Sequence, residues 1–206
     1  MALLALDTCL SALTIAIETD GGTVVSISEE IGVGHAEQVA PRVRALLEEA
    51  RVEASALTRI GVTIGPGSFM GQRVGIAFAK GLAMGSGAET VPMTTLEAVA
   101  EGQNGPTTVL LDARRRQVYA QRFGEDGMAT EPPHLLSYEE GKARLERGDD
   151  ALGTGVLAVD PDRAPPPRRV PDAAALLALT RKKPAAPLQT LYLRAPDAKP
   201  PSSAPL

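Results

Sequence analysis

The run Gly65-Pro66-Gly67-Ser68-Phe69-Met70-Gly71-Gln72-Arg73-Val74-Gly75 constrains this chain more than any other stretch. It follows an apolar segment, Ile60 to Ile64, and opens a helix-compatible run that reaches Met84. Glycine supplies positive φ or room for close backbone approach. Proline fixes φ in the turn, and Ser68 is placed to cap the donors of the helix that follows. The stretch therefore predicts a tight strand-to-helix turn. Such a helix start can hold a phosphate, carry a nucleophile or aim a helix at another protein.

The spacing fails the chemical templates. No Lys-Ser or Lys-Thr follows the glycines, so it is not a P-loop. Three residues, not two, precede the last glycine, so the dinucleotide fingerprint is missed. A nucleophile elbow needs glycine two residues either side of the serine, and Ser68 has Pro66 and Met70 there. Ser68 reads as a helix cap.

The helix launched from this turn, about Ser68–Gly85, is apolar nearly all round. Met70, Val74, Phe78 and Leu82 make one row at four-residue spacing, and Gly71, Gly75, Ala79 and Ala83 make the row beside it. A helix of this kind is covered on more than one face, and one sheet cannot do that. The small-residue row would admit a second helix backbone; an internal helix within one domain is the alternative.

Upstream, Ala2–Asp7, Ala12–Glu18 and Thr23–Glu30 alternate like strands of a meander. The period then changes. Val39, Val43, Leu46, Leu47 and Ala50 recur at helical spacing, predicting a helix over about Ala36–Arg51 that Pro41 should kink or delay. Arg59–Ile64 is a further strand, Val91-Pro92 a brief extended piece, and Thr94 or Thr95 caps a helix reaching about Glu101. Gly102–Pro106 is the break that divides residues 1–102 from 103–194. Beyond it Thr107–Asp112 and Gln117–Phe123 read as strands joined by an arginine-rich turn. This repeats the opening of the chain, an apolar strand ending in Asp (Leu6-Asp7, then Leu111-Asp112) with another strand soon after. An edge strand within Gly127–Leu136, a helix over Tyr138–Arg147, a glycine turn at Ala151–Val156, a capped helix over Asp172–Arg181 and an ordered Leu191–Arg194 follow. Residues 195–206, rich in Pro and Ser, read as a disordered tail.

Composition removes several classes of function. The formal charge is −4, with no Trp, three Phe and three Tyr, which argues against unaided binding to a nucleic-acid backbone. One cysteine, Cys9, excludes an internal disulfide framework and a thiolate cluster. The two histidines, His35 and His134, give no zinc-type ligand set, which leaves metal sites to carboxylates. His35 reads as part of a helix start and His134 as surface. No apolar run reaches the ~20 residues that span a bilayer, and the N-terminus carries no basic leader, so the cytoplasm is the expected compartment.

Asp7 and Asp112 each end a buried strand, where a carboxylate is costly unless partnered. They read either as acceptors for nearby backbone turns or as paired carboxylates across a cleft, orienting a nucleotide's metal or water. Gly153 and Gly155 form a turn that would let a ribose or adenine pass close to the backbone. Arg114, Arg115 and Arg116 read as a solvated turn or as a phosphate or partner contact.

Leu6-Asp7-Thr8, the Gly65–Gly75 turn, Ala79-Lys80-Gly81-Leu82-Ala83, Thr94-Thr95-Leu96-Glu97-Ala98, Leu111-Asp112-Ala113-Arg114 and Tyr192-Leu193-Arg194 occur in an order that closely resembles the bacterial TsaB (YeaZ) family. The resemblance runs from the first strand to about Arg194 and is loose over Gly124–Arg181. It implies an α/β, actin-like (ribonuclease H-like) fold of two related halves. It further implies a noncatalytic scaffold for TsaD, the threonylcarbamoyl-transferring subunit in making threonylcarbamoyladenosine in tRNA. TsaE is the implied ATPase partner, a homodimer forms when TsaD is absent, and tRNA is met only through the complex. The implied partner interface is Val39, Val43, Leu46, Leu47, Met70, Val74, Gly75, Phe78 and Leu82. The resemblance fixes no cofactor, although weak or shared ATP or ADP binding at Asp7, Thr8, Asp112, Gly153 and Gly155 is compatible with the fold; an independent ATP-handling enzyme is the rival. A peptidase, suggested by an older family name, lacks both metal ligands and a nucleophile–base pair. Three residues depart from the family's pattern: Met70 in place of Thr, Gln72 in place of an aliphatic residue, and Cys9 in place of Ser.

Overall fold

Period-two alternation decides the layering of both sheets. On the strand Ala2–Asp7 (β1), Leu4 and Leu6 enter one core and Ala5 the core on the opposite face. On Thr107–Asp112 (β6), Val109 and Leu111 enter one core and Leu110 another. Strands buried on both faces need a layer of helices on each side. The computed structural model describes residues 2–194 and supplies those layers; the expected tail at 195–206 lies outside the described residues.

The first sheet joins β1 to Ala12–Glu18 (β2), Val24–Glu30 (β3), Leu57–Thr63 (β4) and Glu89–Met93 (β5) in the order β3-β2-β1-β4-β5. β1 to β3 are antiparallel, while β4 and β5 run parallel to β1. The second sheet joins β6 to Gln117–Phe123 (β7), His134–Ser137 (β8) and Asp150–Leu152 (β9) in the order β8-β7-β6-β9. Again the first three strands are antiparallel and the last is parallel to the first. The order 3-2-1-4 thus occurs twice, which is the actin-like, ribonuclease H-like arrangement of two related halves.

His35–Ala50 (α1) and Phe69–Ser86 (α2) cover one face of the first sheet. Tyr138–Leu145 (α4) and Val156–Val159 (α5) stand in the corresponding positions on the second. The remaining helices cross over. Thr95–Ala100 (α3) packs Leu96 and Val99 on the second sheet, and Ala173–Lys182 (α6) packs Leu176, Leu177 and Leu179 on the first. Each half therefore completes the other's core. The segment after α6 ties them again: Leu191 N–H donates to Ile64 O at 2.8 Å, and Arg194 Nη2 donates to Ala113 O at 2.9 Å.

Two local expectations change. Pro41 neither delays nor ends α1, which begins at His35; Pro41 lies on the exposed side, where water can satisfy the carbonyl that loses its helical donor. The glycine turn expected at 151–156 narrows to Gly153–Gly155, between β9 and the single-turn α5, both too short to show a period in sequence.

Candidate functional site

Two places in the fold concentrate features that bear on function: the cleft between the halves and the outward face of α2.

The cleft has a volume of about 940 Å³ and lies where the ends of β1 and β6 meet the start of α2. Its floor includes the turn that follows β1. Ser68 N–H donates to Cys9 O at 2.7 Å, and Ser68 Oγ accepts from Gly71 N–H at 3.2 Å, so Ser68 is the helix cap. A Cβ on Gly67 would stand 2.3 Å from Cys9 O, and one on Gly71 would stand 2.0 Å from Thr8 O. The glycines let α2 start directly on the β1–β2 turn. Thr8 Oγ1 then donates to Gly71 O at 2.7 Å. Thr8 is fully buried, and its hydroxyl is committed to the helix.

Asp7 is also fully buried, and the structure moves it out of the cleft. Its Oδ1 accepts from Thr63 Oγ1 at 2.5 Å and from Cys9 N–H at 3.1 Å, while Oδ2 has no partner among the described residues. Burial pushes its carboxyl above the ordinary value of 3.8, against the opposing pull of the Thr63 and Cys9 hydrogen bonds. Burial, with the Asp7 charge beside it, pushes the Cys9 thiol up to about 12, which keeps it a thiol.

Asp112 does reach the cleft. Its Oδ1 accepts from Arg114 N–H at 2.9 Å and from Tyr138 Oη at 3.3 Å, and Thr154 Oγ1 accepts from its backbone N–H at 3.0 Å. The two aspartates therefore do not face each other across open space, and the paired-carboxylate expectation is corrected: Asp7 is sealed behind the cleft wall. Among the described residues no group of three His, Cys, Asp or Glu is placed to hold a metal. Gly153 and Gly155 serve packing. A Cβ on Gly153, at φ 100°, would stand 2.1 Å from Leu110 O, and Gly155 N–H donates to that same oxygen at 2.8 Å. Both glycines press on β6 and present no open edge for a ribose. His35 opens α1, buried with Nε2 unpartnered among the described residues, and His134 lies half-exposed on β8 beside Glu131.

The helix face also differs from expectation. Val39, Val43 and Leu46 are buried in the chain's own core between α1 and the sheet, and Gly75 faces inward, where a Cβ would stand 2.4 Å from Thr8 Oγ1. These four residues are removed from any partner surface, because the first sheet already occupies their side of the helices. Leu47, Val74, Phe78 and Leu82 are half-buried along the flank, and Met70 is 63% exposed. Residues not singled out in sequence complete the outward face: Ala77, Gly81, Met84 and Gly85 are exposed, Met84 to 88%. Gln72 turns out to be buried, its Nε2 donating to Gly67 O at 3.2 Å across the turn. The signal that would have found the outward face is the 100° step itself, which carries the row Met70, Val74, Phe78 and Leu82 around the helix instead of along one side.

The family model described as TsaD, tRNA N6-adenosine threonylcarbamoyltransferase, matches residues 16–131. An uncharacterized Mycobacterium tuberculosis protein is 34% identical over 205 residues, covering 96% of this chain and 93% of its own. The tRNA threonylcarbamoyladenosine biosynthesis protein TsaB of Escherichia coli is 34% identical over 131 residues, 61% of this chain and 56% of that protein. In structure, a Pseudomonas aeruginosa protein described as similar to the peptidase YeaZ superposes with a TM-score of 0.78 at 28% identity, covering 94% of this chain and 99% of that one. YeaZ from the same organism gives 0.72 at 28% identity, covering 87% and 90%. With the repeated 3-2-1-4 sheets and the Gly65–Gly75 turn seated on β1, these likenesses place the chain in the TsaB (YeaZ) family.

Proposed function

We propose that this chain is a noncatalytic assembly subunit in tRNA threonylcarbamoyladenosine biosynthesis, docking on TsaD through the outward face of α2 and the adjoining α1. The observation that carries the reading is a pair of glycines. Gly81 and Gly85 lie inside α2, yet a Cβ on either would meet nothing within 4 Å among the described residues. Glycine within a helix costs roughly 0.5–1 kcal/mol against alanine, and no contact among the described residues requires it at these two positions. A second backbone passing close over the helix would require it. Met70 and Met84 flank the path as flexible apolar contacts, suited to an interface.

The same face would pair two copies of the chain where TsaD is absent. TsaE joins the pair, and tRNA is engaged through the assembly, in the cytoplasm; no helix among the described residues is long and apolar enough to cross a membrane. The rival reading, an ATP-handling enzyme working through Asp7 and Asp112, loses its support with Asp7 sealed and the two glycines committed to packing.

The test is co-elution with TsaD on size exclusion. Ala77→Glu and Met84→Glu alter exposed positions, so each variant should melt like the parent chain. Both should lose TsaD. Retention of TsaD by both variants would show that the partner binds elsewhere.

A further inference from the structure

The two halves of the chain are joined along a seam and across a strap. The seam is where α3, packed on the second sheet, meets α6, packed on the first. Ala98 sits there among Leu176, Leu177 and Leu179, and Lys183 Nζ pairs with Glu97 Oε2 at 2.7 Å. Lys182 Nζ pairs with Glu101 Oε2 at 2.5 Å. The Arg168 guanidinium joins the cap of α6 to α3, reaching Asp172 Oδ2 at 2.6 Å and Val99 O at 3.1 Å. Among the described residues that line the cleft, none belongs to α3 or α6, so the seam lies behind it.

The strap runs from the end of α6 to the mouth of the cleft. It is first fastened along the first half. Ala186 N–H donates to Thr90 O at 2.9 Å, Leu188 is buried in that half's core, and Leu191 N–H donates to Ile64 O. The Tyr192 ring then stacks on Phe69 with centroids 5.6 Å apart, and its Oη accepts from Arg73 Nε at 3.1 Å. At the next residue the strap changes sides. Leu193 packs against the core of the second sheet, and Arg194 Nη2 donates to Ala113 O and, at 2.7 Å, to Gln117 Oε1. Both landing points are themselves held: Ile64 N–H donates to Met93 O at 2.9 Å, and Ala113 N–H to Gln117 O at 2.9 Å. Three residue steps lead from Leu191 to Arg194, and three steps of chain reach at most about 11 Å. While both anchors hold, the strap limits how far the end of β4 can move from the end of β6.

We propose that residues 191–194 are a latch that holds the two halves closed over the cleft, with the α3–α6 seam as the pivot. The two joints differ in the way such a device needs. The seam buries apolar side chains, whose attraction has no direction and survives a small rotation. The latch closes with a few directional hydrogen bonds, and its two rings stay exposed, Phe69 to 53% and Tyr192 to 45%, so it is the joint that opens first. Tyr192 fastens the strap to α2, and Arg194 fastens it to the turn between β6 and β7. The latch is a property of the chain alone and does not rest on the partner reading.

Pulsed electron paramagnetic resonance on the full-length chain, with one spin label on each half, tests the latch. Ala36→Cys and Glu139→Cys place the labels at exposed positions in the first turns of α1 and α4. Cys9 is buried, with its thiol pushed up to about 12, so it stays unlabelled. A single separation is expected in this background. Arg194→Met keeps the apolar stem and removes both hydrogen bonds of the second anchor; it is expected to add a population at longer separation. Amide exchange at Leu191 should quicken roughly tenfold in the same variant. Tyr192→Phe keeps the ring and removes the acceptor for Arg73, and is expected to add a smaller share of the longer population. Because it alters one exposed hydroxyl, it carries the test even where Arg194→Met folds poorly. A longer population in either variant supports the latch. A single unchanged separation in both overturns it, even with faster exchange at Leu191, because the strap then frays while the halves stay in place. A parent chain that already shows both separations overturns it as well.

Discussion

The two sides of α2 use glycine for opposite reasons. On the inner side, Gly71 and Gly75 are demanded by the chain itself, because Thr8 O and Thr8 Oγ1 occupy the space a methyl group would need. On the outer side, Gly81 and Gly85 face none of the described residues. The inner pair converts helix-propensity cost into a close seat on β1 and a buried hydrogen bond from Thr8. The outer pair bears the same cost with no return inside the chain. Glycine content alone therefore says little about a helix; what approaches each glycine decides whether it serves folding or association.

The largest expected effect breaks the inner seat. Gly71→Ala forces a Cβ against a backbone carbonyl that no rotamer change can move, and it disturbs the Thr8–Gly71 hydrogen bond. A loss of about 3 kcal/mol is expected in denaturant unfolding. Gly75→Ala meets a side-chain oxygen and should cost somewhat less. If either is neutral, α2 is not held down on β1 as described.

A smaller effect is expected from Asp7, one residue before the threonine that receives the helix. Its folded-state carboxyl is raised above 3.8 by burial, so the folded chain keeps a proton that the unfolded chain releases near that value. Stability from this group is complete below 3.8 and falls as pH rises through the folded-state value. Asp7→Asn keeps the acceptor for Thr63 Oγ1 and Cys9 N–H and removes the titration. Unfolding free energies measured from about pH 4 to about pH 8 should fall less steeply in the variant. Parallel profiles for parent and variant would show that Asp7 has an ordinary pKa in the fold.

Much of this architecture was legible in the sequence, because its causes are local. Ala2–Asp7, Ala12–Glu18, Thr107–Asp112 and Gln117–Phe123 form strands with the expected bounds, and the paired Leu-Asp openings belong to sheets of the same strand order. What stayed hidden depends on distant neighbours. Periodicity groups Gly71 and Gly75 with Ala79 and Ala83, but only the position of Thr8 shows that this row faces inward. It likewise groups Val39, Val43 and Leu46 without revealing that the first sheet takes them. Asp7 and Asp112 look equivalent in sequence; the Thr63 hydroxyl and the Cys9 amide enclose one, and the cleft exposes the other. The crossing of α3 and α6 between halves has no local signature.

The smallest effect is the most discriminating, since it has opposite signs in two measurements. Gly81→Ala and Gly85→Ala should each stabilise the isolated chain by roughly 0.5–1 kcal/mol, because alanine restricts the unfolded chain and none of the described residues obstructs its methyl group. The same methyl would stand in the path of a partner backbone, so TsaD co-elution should weaken as the chain alone grows more stable. Stabilisation with undiminished TsaD binding would mean that the outward glycines serve neither folding nor docking, and the partner path would have to shift toward α1. Loss of stability would mean that something in this chain already covers the outer face of α2, and the contrast between its two sides would disappear.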